Sequence, residues 1–343
     1  MENIAPTEAQ EDALFLPSSF SVALLMMLLG MFCWGSWPNT YKLTHGWRYE
    51  LFYWDFALGI FLSSLLVAGT LGSLFGLPTF WQNLLSADRS ALVYAFLAGV
   101  LWNLGNVLLM AGVVLVGMAV VFPVSIGLAL VVSTIGSYLV MPRGDPLWLF
   151  AGVAFVFAAV TLNSFAYRTA ARERQNTSKN GLLVCLGAGI LISTATPLVG
   201  KALSAPSPLG PYGITSLFTL AAFISTFPVM GYFMQRPLAG KAVAAADYWK
   251  GSLNEHSAGL LGGFGWAMGS ILTFTAANLV GIALAGAIGQ ANPLVAALWG
   301  LLVWKEFRDA PRRSKVLLAF MFGLYILGLV LLALSFKGSS VSR

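Results

Sequence analysis

The stretch "WNLGNVLLMAGVVLVGMA", residues 102–119, returns later in the chain as "WAMGSILTFTAANLVGIA", residues 266–283. The two copies share a tryptophan, two glycines and an alanine at a constant offset of 164 residues. These are Trp102, Gly105, Gly117 and Ala119 in the first copy, and Trp266, Gly269, Gly281 and Ala283 in the second. A fixed offset indicates an internal repeat, which has to be recognised before any other feature is interpreted.

A second match between the halves occurs in the same order with nearly the same offset, 159 residues. It joins Gly30, Pro38 and Lys42 to Gly189, Pro197 and Lys201. Together the two matches divide the chain into halves of five apolar runs each. Because five is an odd number of membrane crossings, the second half must point the opposite way. Inverted repeats are typical of transporters, whose solute site lies near the bilayer midplane between the halves.

Composition places the chain in a membrane. Of its 343 residues 58% are hydrophobic and only 9% are charged, whereas soluble domains carry about 25% charged residues. We predict an all-α integral membrane protein with ten transmembrane helices, since a run of about 20 apolar residues can cross the hydrocarbon core. The predicted spans are 20–42, 51–73, 90–112, 116–139, 147–168, 181–203, 211–234, 257–279, 282–304 and 315–336.

The loops predict the orientation. Of the 19 lysines and arginines, 14 follow odd-numbered spans, and basic residues stay preferentially on the cytoplasmic side. Both termini should therefore lie outside the cytoplasm. The segment 1–19 is acidic and lacks the basic start of a signal peptide, so the first span should be retained. We divide the chain into a non-cytoplasmic tail (1–19), a first repeat (20–168), a cytoplasmic linker (169–180), a second repeat (181–336) and a C-terminal tail (337–343).

The first span ends in "CWGSWPNTYKL", residues 33–43, which combines indoles and an amide with a helix-breaking proline. Aromatic faces beside amides suit a neutral polyol or a flat heterocycle, so Trp34, Trp37 and Asn39 are candidate binding residues. The alternative is an interface belt, in which Trp37 and Tyr41 anchor the helix and Lys42 extends its amine to water.

The second span begins with Tyr53, a further binding candidate, and with Asp55, the carboxylate farthest inside any span. An ionised carboxylate at a helix centre costs about 2.5–3.5 kcal/mol on insertion scales. Asp55 could carry a coupling proton. Alternatively, it could form a structural pair with Lys42 or Arg48.

In the third span, Trp102, Asn103 and Asn106 are spaced to crowd one side of a helix. They could bind a hydroxylated or amide-bearing solute, or form interhelical hydrogen bonds worth about 1 kcal/mol each. The second half contributes further binding candidates near the same depth. These are Trp266 in the eighth span, and Gln290 and Asn292 in the ninth.

Other functions lack their motifs. The sequence contains no GxxxxGK[ST] phosphate loop and no GxSxG nucleophile motif, so we expect neither ATP-driven pumping nor an enzyme. The two histidines and two cysteines have no metal-ligand spacing, so we predict no metal and no cofactor. The net charge of +6 comes from loops between spans, which argues against nucleic acid as a partner.

With these residues in hand, the chain resembles the drug/metabolite transporter superfamily, in particular the branch with glucose/ribose porters, rhamnose permeases and plant ureide permeases. The resemblance rests on "CWGSWPNTYKL", "GVLWNLGNVLLMAG", "GMAVVFPVSIGLALVV" and "GQANPLVAALWGLLVWKEF". It implies ten helices in two inverted five-helix repeats and uptake of a small neutral solute, often with protons. Plant ureide permeases have a long central loop with a phosphate-loop-like motif, which the short segment 169–180 lacks.

The resulting hypothesis is a secondary transporter in the cell membrane that imports a monosaccharide, such as a pentose or hexose, by alternating access. Its partners are the solute, the lipid bilayer and, if transport is coupled, protons. Three alternatives remain open. They are a permease for ureides, nucleobases or nucleosides, an exporter of metabolites or drugs, and a membrane scaffold without transport activity.

Overall fold

A computed structural model describes residues 16–44, 46–74, 78–171, 179–237 and 241–339. Within these residues ten helices are long and apolar enough to cross a membrane, which confirms the predicted number. They are α1 (Phe20–Tyr41), α2 (Tyr49–Leu74), α3 (Arg89–Val113), α4 (Phe122–Val140), α5 (Pro146–Ala170), α6 (Lys179–Leu203), α7 (Pro211–Gln235), α8 (Leu253–Val280), α9 (Ile282–Val303) and α10 (Arg312–Phe336). Most of the predicted N-terminal tail, the middle of the linker (172–178) and the last four residues lie outside the described residues.

The outward faces of the bundle are apolar. Leu66, Leu139 and Phe320 are each at least 66% exposed, although they lie in the middle or at the ends of spanning helices. Such exposure is costly in water but not in lipid hydrocarbon. Buried aromatic side chains such as Phe52 and Phe56 fill the interior of the bundle instead. The helices are therefore built to be surrounded by lipid.

The packing of the helices repeats under exchange of the two halves. α1 packs on α8 and α9, and α6 packs in the same way on α3 and α4. α2 packs on α8, and α7 packs on α3. The pairs α2 with α7, α4 with α9, and α5 with α10 join each helix to its own counterpart. This is the arrangement of two inverted five-helix repeats, while the exact repeat bounds given above stay a prediction.

Two matched glycines show the repeat in the backbone. The helical backbone of α3 continues to Val116 and ends at Gly117, and α8 ends at Gly281. Their φ angles are +74° and +87°, a region that side chains with a Cβ rarely adopt. Each glycine ends its helix sharply, so the next helix starts within a few residues. These two connections are therefore too short to contain the charged residues that mark a loop in the sequence of a membrane protein.

The halves approach each other closely between α2 and α8. Gly59 and Gly263 face each other there, and a methyl group on Gly263 would lie 2.5 Å from the carbonyl oxygen of Phe56. Two helices can approach this closely only through small residues. The contact fixes α8 against the other half at the depth where its tryptophan enters the interior.

We expect Gly263→Ala to lower the melting temperature of the purified protein, because the added methyl group forces the backbones apart at a cost of about 1–3 kcal/mol. Gly231→Ala is the matched control, since nothing lies within 4 Å of the site for an added methyl group. In the control, alanine should be neutral or stabilise the helix by up to about 1 kcal/mol. Equal melting temperatures for the two variants would contradict the close α2–α8 contact.

Candidate functional site

A cavity of about 430 Å³ lies between the two halves of the bundle. Helices α1, α3, α6, α8 and α9 contribute most of its wall, so both repeats form it. Two of the predicted binding residues, Tyr53 and Asn103, lie behind the wall. The other predicted binding residues all line the cavity, namely Trp34, Trp37, Asn39, Trp102, Asn106, Trp266, Gln290 and Asn292.

An aromatic cluster forms one side of the cavity. The ring of Trp266 lies 4.1 Å from that of Trp102, 5.6 Å from that of Phe218 and 6.2 Å from that of Trp34, between centroids. Trp34 is held in place because its Nε1 donates to the carbonyl oxygen of Trp266 and to the hydroxyl of Ser270, both at 3.2 Å. The cluster therefore joins α1, α3, α7 and α8 around a flat apolar surface.

Helix α9 is interrupted beside this cluster. Its first segment ends at Gly289, and a new segment begins at Pro293, where a missing backbone donor is tolerated. Asn292 donates to the carbonyl oxygen of Gly289 and stabilises the turn. Gln290 forms no side-chain hydrogen bond with the described residues, so its carboxamide is available to a solute. Broken helices at mid-membrane are typical solute sites in transporters.

The orientation of the Asn106 amide is fixed by a chain of hydrogen bonds that starts on α7. Ser225 and Thr226 both donate to the carbonyl oxygen of Ala222, so their oxygens accept from Nδ2 of Asn103. Oδ1 of Asn103 then accepts from the Tyr53 hydroxyl at 2.7 Å.

The Tyr53 oxygen in turn accepts from Nδ2 of Asn106 at 3.0 Å. This leaves Oδ1 of Asn106, an acceptor, for the cavity. Tyr53 and Asn103 thus orient Asn106, a candidate binding residue, and do not line the cavity themselves. Asn103 lies away from the cavity, because its position is turned by one residue, about 100°, from that of Trp102.

An ion pair marks one end of the cavity. Nζ of Lys42 lies 2.5 Å from Oε1 of Glu306 and 5.1 Å from the centroid of the Trp304 ring. Nε1 of Trp304 donates to Oδ1 of Asn39. Lys42 is therefore not only an interface anchor, since it lines the cavity and pairs across α1 and α9. Its side chain is 44% exposed, so the cavity opens to water at this end.

The opposite end of the cavity is closed. Val199 on α6 and Ile282 at the start of α9 line it and are fully buried. The connections nearby are tied together: Ser207 donates its backbone N–H to Asp88, and Arg143 donates to the end of α8. Water therefore has access from the Lys42 end alone in the conformation of the described residues.

Asp55 lies outside the cavity in a polar cluster between α2 and α8. It is 2% exposed, and its two oxygens lie 2.5 Å from the Tyr248 hydroxyl and 2.8 Å from Nδ1 of His256. The alternative expectation, a pair with Lys42 or Arg48, does not match the structure, because Lys42 pairs with Glu306 and Arg48 pairs with Glu50.

The two partners of Asp55 come from the connection before α8 and from its first turn. The capping box of Ser252 and Glu255 starts the helix, which places His256 one turn inside it. Burial and the hydrogen bond to Asp55 raise the pKa of Tyr248, so its hydroxyl stays a donor to Asp55 even above the pH at which a free tyrosine ionises. No group of three potential metal ligands occurs among the residues that the structure describes.

Sequence reasoning missed several of these residues. Phe218 gave no signal, because a phenylalanine in an apolar span is ordinary. In the sequence, Glu306 is only part of a motif, and His256 is only one of two histidines without metal-ligand spacing. Tyr248 lies in a loop 193 residues from Asp55 along the chain. Contacts over that distance depend on how the helices assemble, so no local pattern could indicate them.

The family model for ureide permeases matches residues 52–186 and 204–335, most of the chain and both repeats. The chain belongs to the ureide permease family. This member is therefore a multi-pass membrane transporter of small polar solutes and not an enzyme.

Individual relatives cover nearly its whole length. It is 23% identical to ureide permease 1 of Arabidopsis thaliana over 386 residues, which cover 94% of this chain and 99% of that protein. A Listeria monocytogenes protein named as a candidate sugar uptake protein is 24% identical over 323 residues, covering 90% and 98%. A crystal structure with a TM-score of 0.62 at 17% identity covers 92% of this chain and 99% of the solved chain, which supports the fold alone.

We expect Tyr53→Phe to destabilise the protein by about 1–3 kcal/mol, because Oδ1 of Asn103 is then left buried without its donor. Tyr325→Phe is the control: its hydroxyl is also buried but has no hydrogen-bond partner among the described residues. Removing that hydroxyl should leave stability unchanged or raise it. Thermal melts of both variants test this, and equal losses would contradict the hydrogen-bond chain from Ser225 to Asn106.

Proposed function

We propose that this permease carries a small, neutral, flat solute with amide or imide edges, such as a ureide or nucleobase, by alternating access. The aromatic cluster beside a few oriented amides is the observation that carries the proposal. The neutrality of the solute follows from the charges of the cavity wall. Among the described lining residues only Lys42 and Glu306 carry charge, and they neutralise each other. A charged solute would have no buried counter-ion.

The shape of the solute follows from the aromatic cluster. Indole and phenyl faces stack on flat rings with offset geometry, and Trp34, Trp102, Trp266 and Phe218 offer such faces around one space. A cavity of about 430 Å³ accommodates a small heterocycle. Solute edges can donate to Oδ1 of Asn106 and exchange hydrogen bonds with the Gln290 carboxamide, which pairs with no described residue.

A monosaccharide is the second candidate, favoured by the similarity to the Listeria protein and by the ability of indole faces to stack on sugar CH groups. We rank it second because most of the wall is apolar. Each solute hydroxyl buried there without a partner costs about 1–3 kcal/mol, and a hexose has more of them than the few available amides can satisfy.

The direction of transport follows from the predicted orientation of the chain in the membrane. The end of the cavity at Lys42 lies after an odd-numbered span, on the side that the basic loops assign to the cytoplasm. The described conformation is then inward-facing, after release of an imported solute. Uptake across the cell membrane fits this arrangement, with the termini on the non-cytoplasmic side.

We further propose that Asp55 couples transport to protons. It joins α2 of one half to His256 on α8 of the other, and α8 also carries Trp266 into the cavity. Protonation of Asp55 would weaken this link between the halves. The His256 side chain is 22% exposed, which gives protons access to the buried carboxylate. Tyr248 is the other titratable group in contact with it.

Thermal-shift measurements with purified protein test the solute class. We expect a nucleobase and a ureide to raise the melting temperature more than a pentose or hexose at equal concentration, because binding to the folded state stabilises it by mass action. Asn106→Leu should weaken solute binding about tenfold or more, since a solute donor loses its acceptor.

Asn163→Leu is the matched control, because Asn163 is equally buried but does not line the cavity. It should leave the affinity for the solute unchanged. A larger shift with sugars would favour the second candidate, and the absence of any shift with all four solutes would count against both.

Uptake into proteoliposomes tests the proton site. Asp55→Asn should abolish the dependence of accumulation on an imposed proton gradient while solute exchange continues, because the amide cannot titrate. Asp247→Asn is the control, since this carboxylate lies in the same segment as Tyr248 but contacts Lys250 and the backbone N–H of Ala244 at the surface. Gradient-driven accumulation that persists in Asp55→Asn would exclude Asp55 as the coupling residue.

A further inference from the structure

We infer that Arg143 and Arg308 are matching latches, one on each side of the membrane, which hold the cavity closed in turn. Alternating access, as proposed above, requires one closed state on each side. Arg143 lies between α4 and α5, and Arg308 lies at the corresponding place between α9 and α10. In the described conformation one latch is engaged and the other is free.

The engaged latch is a charge-assisted contact with a helix end. Nη1 of Arg143 donates to the carbonyl oxygens of Asn278 at 2.5 Å and Leu279 at 3.2 Å. These carbonyls belong to the last turn of α8, where helical carbonyls lack partners and carry partial negative charge. A guanidinium donates hydrogen bonds to these carbonyls and offsets their negative charge with its positive charge. The contact ties the first half to the second at the closed end of the cavity.

Gly281 makes room for this arginine. A Cβ at Gly281 would lie 2.8 Å from Cβ of Arg143, so any larger residue would displace the side chain. The φ angle of +87° also requires glycine. The end of α8 is therefore shaped to accept Arg143 against its final carbonyls.

The internal repeat supplies the second latch. Gly117 matches Gly281 and has the same positive φ, so the helix that ends at Val116 presents the same kind of end on the opposite side. The segment "PRGDP" (142–146) corresponds to "FRDAP" (307–311), where an arginine again stands three residues before a proline at the next helix. Arg308 thus holds the position in the second half that Arg143 holds in the first.

The second latch is disengaged. Arg308 is exposed, and its guanidinium has no hydrogen-bond or ion-pair partner among the described residues. Leu115, in the last turn before Gly117, is 38% exposed. The cavity opens at this end, with Val113 and Phe122 in its wall. The arginine is therefore bound where the cavity is closed and free where the cavity is open.

Exchange between the two states then replaces one set of bonds by an equivalent set. Opening the Arg143 end releases the carbonyls of α8, and closing the other end lets Arg308 reach the last carbonyls of α3, on residues 114 and 115. Because similar contacts are lost and gained, neither state is strongly favoured, which a carrier needs in order to cycle.

Cysteine labelling in the absence of solute tests the latches. In a background with Cys33→Ala and Cys185→Ala, Val199→Cys reports opening of the Arg143 end, since Val199 is fully buried when that end is closed. Met110→Cys reports access from the Lys42 end. The rate of alkylation by a maleimide is measured for each reporter.

Arg143→Gln should raise the Val199→Cys rate about tenfold or more and lower that of Met110→Cys, because a charge-assisted bond holding the closed state is weakened. Arg308→Gln should do the opposite, lowering the Val199→Cys rate about tenfold or more, because it removes the latch of the alternative state. Arg308→Lys, which retains a charge and hydrogen-bond donors, should restore part of the Val199→Cys rate that Arg308→Gln loses.

Arg312→Gln is the matched control, an exposed arginine on the same side without a counterpart in the repeat, and should change neither rate. The inference is overturned if Arg308→Gln leaves the Val199→Cys rate unchanged or raises it, or if Arg143→Gln fails to raise it. A separate assay tests the proposed function: if that function is wrong, the parent protein transports no solute into proteoliposomes.

Discussion

Polar groups inside a bilayer must find partners within the protein, because hydrocarbon offers none. This constraint organises the interior of the permease. Amides and hydroxyls between α2, α3 and α7 form one directed chain of hydrogen bonds, and Asp55 is held by Tyr248 and His256. Two polar groups without an internal partner among the described residues, the Gln290 carboxamide and Oδ1 of Asn106, face the cavity. The candidate site thus presents hydrogen-bonding groups that the interior of the bundle does not use.

The inverted repeat gives the transporter two similar sides, which differ in the partners of their charged residues. Lys42 and Lys201 match in the repeat and both lie against an aromatic ring, that of Trp304 and that of Tyr94. Within the part of the chain that the structure describes, only Lys42 of these two also has a carboxylate partner, Glu306, at the open end. The two sides therefore share a backbone design while their electrostatics differ.

Most of the candidate binding residues named from the sequence line the cavity, and the two that do not, Tyr53 and Asn103, depart for a common reason. Trp102 and Asn106 line the cavity as their four-residue spacing indicates, whereas Asn103 turns toward α7 and orients Asn106. Helical spacing tells which residues share a side, but not which neighbour each one meets. Asp55 was recognised as a buried carboxylate, yet its partners could not be identified, since both come from the other half of the chain.

The sequence by itself determined the membrane location, the ten spans and the internal repeat, because these depend on the length of apolar runs and on spacing along the chain. Tertiary structure alone decided which polar groups meet, which end of the cavity is open, and which arginine is engaged. These properties arise from contacts between helices far apart in sequence. Under the alternating access proposed above, they would also differ between conformations of one and the same chain, so residue order alone does not fix them.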